Sequence, residues 1–153
     1  IMPSLVGSEM CIRDRLYTAY DTGGTSNDSY EHNGSSWSTS VATGGELHSA
    51  APAGGTQNAG VVYAGYTGSD DGLTTDEYNG TSWSTVNNLT AGHAYATGGG
   101  EVQSSCFVTG GSQYVPTVRD VTTTQTYNAT TWTDESVASN GAGSGSGQNS
   151  GGG

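Results

Sequence analysis

The amino-acid sequence predicts an all-β, antiparallel protein built from repeats, and three observations carry that expectation. A short segment recurs three times: His32-Asn33-Gly34-Ser35-Ser36-Trp37-Ser38, Tyr78-Asn79-Gly80-Thr81-Ser82-Trp83-Ser84 and Tyr127-Asn128-Ala129-Thr130-Thr131-Trp132-Thr133. Its Trp residues stand 46 and 49 positions apart. The segment reads as a hairpin, because Asn-Gly flanked by aromatic and β-prone residues is a strong short-range turn signal. Composition then separates a turn-rich β protein from a disordered one. Gly supplies 26 residues and hydrophobics only 31%, which alone would suit a linker, but 9 Tyr and 3 Trp recurring in register would not.

Between the hairpins lies a second set of matches. His48 pairs with His93, Gly54-Gly55 with Gly99-Gly100, Val61-Val62-Tyr63 with Cys106-Phe107-Val108, and Gly65 with Gly110, all 45 residues apart. Leu16 to Tyr20 matches Val62 to Tyr66, and Gln148-Asn149-Ser150-Gly151 echoes Gln57-Asn58-Ala59-Gly60. The chain is therefore expected to begin inside one repeat and end inside another. Each period reads as four short strands, exemplified by His93 to Thr97, Ser104 to Thr109, Thr74 to Tyr78 and Ser82 to Val86. The run Gly98-Gly99-Gly100-Glu101 is expected to be the turn joining the first two. Asn79-Gly80 is expected to be a type I′ turn, with positive φ at both residues. At Asn128-Ala129 the Gly is lost, so that turn should be strained or of another type.

Four strands at a period in the forties is the arithmetic of a β-propeller blade, and stacked units bury faces that one unit cannot. The residues resemble a kelch repeat, in which a hydrophobic strand ends in Gly-Gly and is followed by a Tyr and then a Trp. Val108-Thr109-Gly110-Gly111 with Tyr127 and Trp132 fits best. Val62-Tyr63-Ala64-Gly65 with Tyr78 and Trp83 fits with Tyr66 in place of one Gly, and Ala19-Tyr20 with His32 fits more weakly. The Tyr-to-Trp interval of five is shorter than in the usual kelch pattern. The resemblance implies an incomplete kelch-like propeller of about two to three blades over residues 16–132, with further blades outside this chain. Residues 133–153 would be a Gly/Ser-rich partial repeat or flexible tail. Arrays of Tyr-Asn-Gly-Thr-Ser-Trp also resemble repeats of environmental bacterial and phage surface proteins, which implies an extracellular, cell-surface or virion setting. Residues 1–15 differ sharply from the rest, holding both Met and two of the three basic residues. They resemble a translated sequencing-library adapter and are set aside, expected to be disordered, which leaves Cys106 as the one Cys of the repeats.

The net charge of −11 would repel phosphate backbones, so no nucleic-acid partner is expected. No apolar run approaches the roughly 18 residues of a membrane span, so no membrane insertion is expected. The sequence carries no Gly-x-Ser-x-Gly, no Cys/His pair and no carboxylate dyad; the expectation is a non-enzyme without cofactor or metal. His48 and His93 are repeat-equivalent but lack further ligands, and Asp70-Asp71-Gly72 lacks the spaced carboxylates of an EF-hand. Asn27, Asn33, Asn79, Asn88 and Asn128 each open an N-x-[ST] triplet, three of them inside the repeated hairpin.

The expected function is that of a non-catalytic module binding protein or glycan. Recognition would sit on the long connections between second and third strands, Asp21 to Asn27, Thr67 to Leu73 and Ser112 to Asp120. Asp70, Asp71, Tyr114 and Arg119 are the candidate ligand-binding residues. Trp37, Trp83, Trp132, Tyr78, Tyr127, Asn79, Gly80, Gly65, Gly110 and Gly111 are the structural residues of the repeat. The aromatic ones are expected to pack between neighbouring units, contributing on the order of 1.5–3 kcal/mol each. Two alternatives stand beside this reading: the β-scaffold of a secreted oxidase or glycosidase, and a structural fibre repeat. The kelch-fold galactose oxidase, which uses a Tyr–Cys crosslink, makes Cys106 the residue of interest for the first. Because two or three blades cannot close a ring, uncovered faces and self-association are expected.

Overall fold

The computed structural model describes residues 15–18, 28–33, 35–43, 53–66, 72–113, 117 and 119–135. Among them there are strands, turns and loops and no helix, so the described part of the chain is all-β, and every strand pair in it is antiparallel. The first sheet contains β1 (Arg15–Thr18), β2 (Ser29–His32) and β3 (Trp37–Thr39). The second contains β4 (Ala53–Thr56), β5 (Ala59–Tyr63), β6 (Thr75–Tyr78) and β7 (Trp83–Thr85), paired in chain order. The third is a meander of β8 (Thr97–Val102), β9 (Ser105–Thr109), β12 (Thr124–Tyr127) and β13 (Trp132–Glu135). Between β9 and β12 a short hairpin is formed by β10 (Ser112–Gln113) and β11 (Arg119–Asp120). Residues 1–14 and 136–153 lie outside the described residues; Arg15, counted with the leading segment by sequence, pairs with His32.

The Gly run is placed differently from the sequence expectation. Gly98 to Glu101 lie within β8, and the turn falls at Gln103-Ser104. The glycines serve close approach between sheets rather than a turn. A Cβ on Gly54 of β4 would stand 2.7 Å from the Cys106 sulfur and 3.0 Å from the Gly100 oxygen. Gln103 uses its turn position to reach back, donating from Nε2 to the carbonyls of Gly60 (2.8 Å) and Tyr78 (3.0 Å).

Strand pairing also moves the register of the repeat. Val61 stands opposite Glu77 and Phe107 opposite Thr126, so Val61 corresponds to Phe107, not to Cys106. The offset of 45 holds as far as Gly99, an irregularity in β8 between Gly99 and Val102 takes up one residue, and the offset is 46 beyond it. Ala64 (φ 62°) and Gly65 (φ 98°) accordingly take the left-handed places of Gly110 (66°) and Gly111 (85°). It is Ala64, and not Tyr66, that replaces a Gly.

The Asn-Gly hairpins are corrected too. Tyr78 pairs directly with Trp83, leaving a four-residue loop in which Gly80 has positive φ (91°) and Asn79 does not. Asn79 contributes its side chain instead: Oδ1 accepts the N–H of Thr81 and of Ser82, both at 3.0 Å. Asn128 Oδ1 accepts from Thr130 and Thr131 in the same way, and Asn33 Oδ1 from Ser35 and Ser36. This is an Asx-type turn, which explains Asn without the left-handed backbone that a type I′ turn requires. Ala129 keeps the Gly80 conformation, at φ 72°, and is exposed. Ala129→Gly is therefore expected to raise stability by about 1 kcal/mol and Gly80→Ala to lower it by a similar amount, read from urea midpoints.

Side chains alternate across β6: Asp76 and Tyr78 face the first sheet, while Thr75 and Glu77 face the third. Tyr78 donates its hydroxyl to Glu31 (2.5 Å), and Trp83 Nε1 donates to the Val41 carbonyl (3.0 Å). One unit later Tyr127 donates to Glu77 (2.7 Å) and Trp132 Nε1 to the Thr75 hydroxyl (2.8 Å). The hydrophobic core fills the space between the second and third sheets, with Val61, Tyr63, Leu89, Cys106, Val108, Tyr127 and Trp132. Within it the Trp132 ring lies 4.8 Å from that of Tyr63 and 5.0 Å from that of Tyr127.

Glu31 gathers three donors, Ser40 Oγ (2.6 Å), Tyr78 Oη (2.5 Å) and Gln57 Nε2 (3.2 Å). The hydrogen bond from Ser40, then that from Tyr78, hold its carboxyl below the usual 4.5 against the opposing effect of burial. A depressed folded-state value means that the stabilisation is complete above pH 4.5 and is lost as pH falls through the folded value. Wild type should therefore exceed Glu31→Gln in stability near neutrality, with the gap closing below pH 4.5 in melts taken across that range.

Candidate binding end of the sheets

In a four-stranded meander the connection from second to third strand and the one leading to the next sheet leave from the same end. Tyr66 lies on the first kind of connection and Tyr95 on the second. Their rings meet with centroids 5.6 Å apart, tilted by 36°. Tyr95 is 45% exposed and sits at φ 54°, a left-handed conformation that a bulky non-Gly residue adopts only when its surroundings impose it.

Those surroundings are visible. Ala94, next to Tyr95, is fully buried and exchanges both backbone hydrogen bonds with Ser112, at 2.8 and 2.9 Å. Gly65 N–H, next to Tyr66, donates to the His93 carbonyl at 3.0 Å. His93 is itself fully buried: Nδ1 lies 2.8 Å from the Gly110 carbonyl, and Nε2 lies 3.0 Å from the Gln125 amide nitrogen. A carbonyl can only accept and an amide NH2 can only donate, so the ring is neutral with its proton on Nδ1. Gln125 completes the set by accepting the Thr90 N–H at 2.9 Å. His93 thus acts as a strut that fixes the connection bearing Tyr95.

The sequence-derived site residues are distributed unevenly. Asp70, Asp71 and Tyr114 lie outside the described residues, as does His48. Arg119 is in β11, paired through the backbone with Gln113. The short β10–β11 hairpin thus occupies part of the Ser112 to Asp120 connection, and it roots at Ser112 beside Ala94. Tyr66 and Tyr95 were not singled out by sequence. By sequence Tyr66 stands where the repeat expects a Gly, and Tyr95 has no partner at the repeat spacing.

The remaining residues hold the scaffold. Cys106 is a free, buried thiol whose Sγ–H points at the Val102 carbonyl (3.3 Å), and burial pushes its pKa up to about 12. Burial, and then the Glu77 carboxylate, also raise the Tyr127 hydroxyl above its usual value. Among the described residues no group of three or more His, Cys, Asp or Glu is placed to hold a metal ion. Nor, among them, is any helix long and apolar enough to cross a membrane. In comparisons with known proteins, no family model matches the chain and no curated protein matches it.

Proposed function

We propose that the sheets are blades of a kelch-like propeller and that the chain is a non-catalytic binding module of an exported, cell-surface or virion protein. The observation that carries the reading is the Tyr66–Tyr95 pair: two aromatic rings, one at positive φ, held at the end where the long connections emerge. A tilted aromatic pair offers apolar faces flanked by hydroxyl donors, which suits the C–H faces and hydroxyls of a sugar or an aromatic-rich peptide. The connection that begins at Tyr66 leaves from this end, where recognition on a rigid scaffold concentrates, and Asp70, Asp71, Tyr114 and Arg119 stay proposed as ligand-binding residues from their place in the sequence.

A glycan array probed with the full chain, followed by titration of each hit against wild type and Tyr95→Ala, tests this reading. Binding that Tyr95→Ala weakens by about 10-fold or more, with an unchanged melt, supports it. Glycan binding indifferent to Tyr95 would place recognition elsewhere. Absence of any glycan or peptide ligand would return the chain to the role of a structural fibre repeat.

A further inference from the structure

The Asn turns at 33, 79 and 128 share a geometry but differ around the one atom where an Asn side chain is reactive. Attack by the next backbone nitrogen on the Asn Cγ closes a succinimide ring, passing through a tetrahedral species with negative charge on Oδ1. Donors already held at Oδ1 stabilise that charge without reorganisation. Asn79 Oδ1 has four of them. The N–H groups of Thr81 and Ser82 lie at 3.0 Å, the Thr81 hydroxyl at 2.9 Å and the Ser82 hydroxyl at 3.4 Å. Ser82 Oγ also stands 3.2 Å from Nδ2, the nitrogen that must depart. The ring closed by Oδ1 and the Thr81 N–H contains both Cγ and the Gly80 nitrogen, so the reacting atoms are tethered together. Gly80 brings no Cβ to obstruct the attack, and Asn79 is exposed to the solvent that takes the proton.

The other two turns supply less. Asn128 Oδ1 accepts the N–H of Thr130 (3.0 Å) and of Thr131 (2.8 Å) and the Thr131 hydroxyl (3.3 Å). The nitrogen that would attack there belongs to Ala129, whose methyl crowds the approach. Asn33 is followed by Gly34, but its Oδ1 accepts the N–H of Ser35 and of Ser36, both at 3.0 Å, with no hydroxyl beside them among the described residues.

We propose that Asn79-Gly80 is a self-modification site, at which the turn promotes its own cyclisation. The Gly80 nitrogen gives its proton to solvent and bonds to Cγ. The Cγ–Nδ2 bond then breaks, and the nitrogen takes a proton from solvent and leaves as ammonia. Water opens the succinimide at either carbonyl, so that overall one water is consumed and one ammonia released. Opening at Cγ gives Asp, whose carboxylate accepts the same donors and keeps the turn. Opening at the backbone carbonyl gives isoaspartate, which routes the chain through Cβ and adds a backbone atom between Tyr78 and Trp83. Those two residues pair across the hairpin and carry the bonds to Glu31 and Val41 that join the first two sheets. The isoaspartate form therefore loosens that contact and leaves the one made by Tyr127 and Trp132 in place.

Incubation of the full chain in mildly alkaline buffer, followed by peptide mapping with mass spectrometry and isoaspartate detection, tests the proposal. The double variant Thr81→Ala/Ser82→Ala keeps Asn79-Gly80 and removes both hydroxyls. Wild type should modify Asn79 first, Asn33 next and Asn128 last. The double variant should slow Asn79 by about 5-fold or more and leave Asn33 at its own rate. In urea the turn is lost, so Asn79 and Asn33, each followed by Gly, should converge. Melts of the aged chain should show a less stable population that grows with the isoaspartate fraction. Asn79 reacting no faster than Asn33 in the folded chain, or at the wild-type rate in a folded double variant, would overturn the proposal. If the double variant fails to fold, the ratio of Asn79 to Asn33 in folded and urea-treated wild type still decides.

Discussion

Replacing Trp132 with Ala should lower the unfolding free energy by about 3–5 kcal/mol. The indole is 5% exposed and packs on the rings of Tyr63 and Tyr127. Its N–H donates to the hydroxyl of Thr75, which is fully buried. Truncation opens a cavity between the sheets and deprives that hydroxyl of its donor, and such a buried, orphaned group alone costs about 1–3 kcal/mol. Trp132→Phe keeps much of the apolar area and loses the N–H, so it should recover roughly half of the loss. The same truncation at Trp37, 54% exposed, should cost the monomer less than about 1 kcal/mol, with Trp83→Ala between the two. Urea denaturation of the three variants gives the order directly. Equal losses at all three positions would mean that the sheets do not interlock through their Trp residues.

The close approach of β4 and β8 gives the second large effect. An Ala methyl at position 54 would stand 2.7 Å from the Cys106 sulfur and 3.0 Å from the Gly100 oxygen. At position 100 it would stand 2.3 Å from the Ser105 carbonyl oxygen and 2.6 Å from the same sulfur. Gly54→Ala should cost about 1–3 kcal/mol, the usual range for an overpacked core, and Gly100→Ala more, because backbone of its own sheet must move. Cys106→Ala separates the two cases. Combined with Gly54→Ala it should give back at least about 1 kcal/mol relative to additivity, since its sulfur is the nearest obstacle. Combined with Gly100→Ala it should return little, since the Ser105 oxygen remains in the way.

The strands and aromatic anchors were legible in the sequence for a physical reason. Tyr78, Trp83, Tyr127 and Trp132 make the same contact in successive units, so the same side chains are needed at the same spacing. The Gly run was misread because Gly serves both turns and close backbone approach, and only the neighbouring sheet distinguishes them at Gly54 and Gly100. The irregularity in β8 left no mark beyond a change of offset from 45 to 46, yet one residue in a strand exchanges its two faces. That is why Cys106 was matched with Val61 although the two face opposite neighbours. Asn79 was assigned to the right turn for the wrong reason, since backbone and side-chain explanations of Asn predict the same residue. The Tyr66–Tyr95 pair was invisible because it joins two connections whose lengths vary between units and so obey no period.

The direction of the interlock bears on how the protein is made. Glu31 and Val41 precede the Tyr78 and Trp83 that bond to them, and Thr75 and Glu77 precede Trp132 and Tyr127. Every inter-sheet donor in this set leaves the ribosome after its acceptor. At about 5–20 residues per second a repeat of some 46 residues takes several seconds to emerge, whereas a hairpin closes in about 1–10 μs. Each new Tyr and Trp thus meets a finished surface as soon as it appears, and the protein can be laid down one unit at a time, the nascent chain docking on what has already folded.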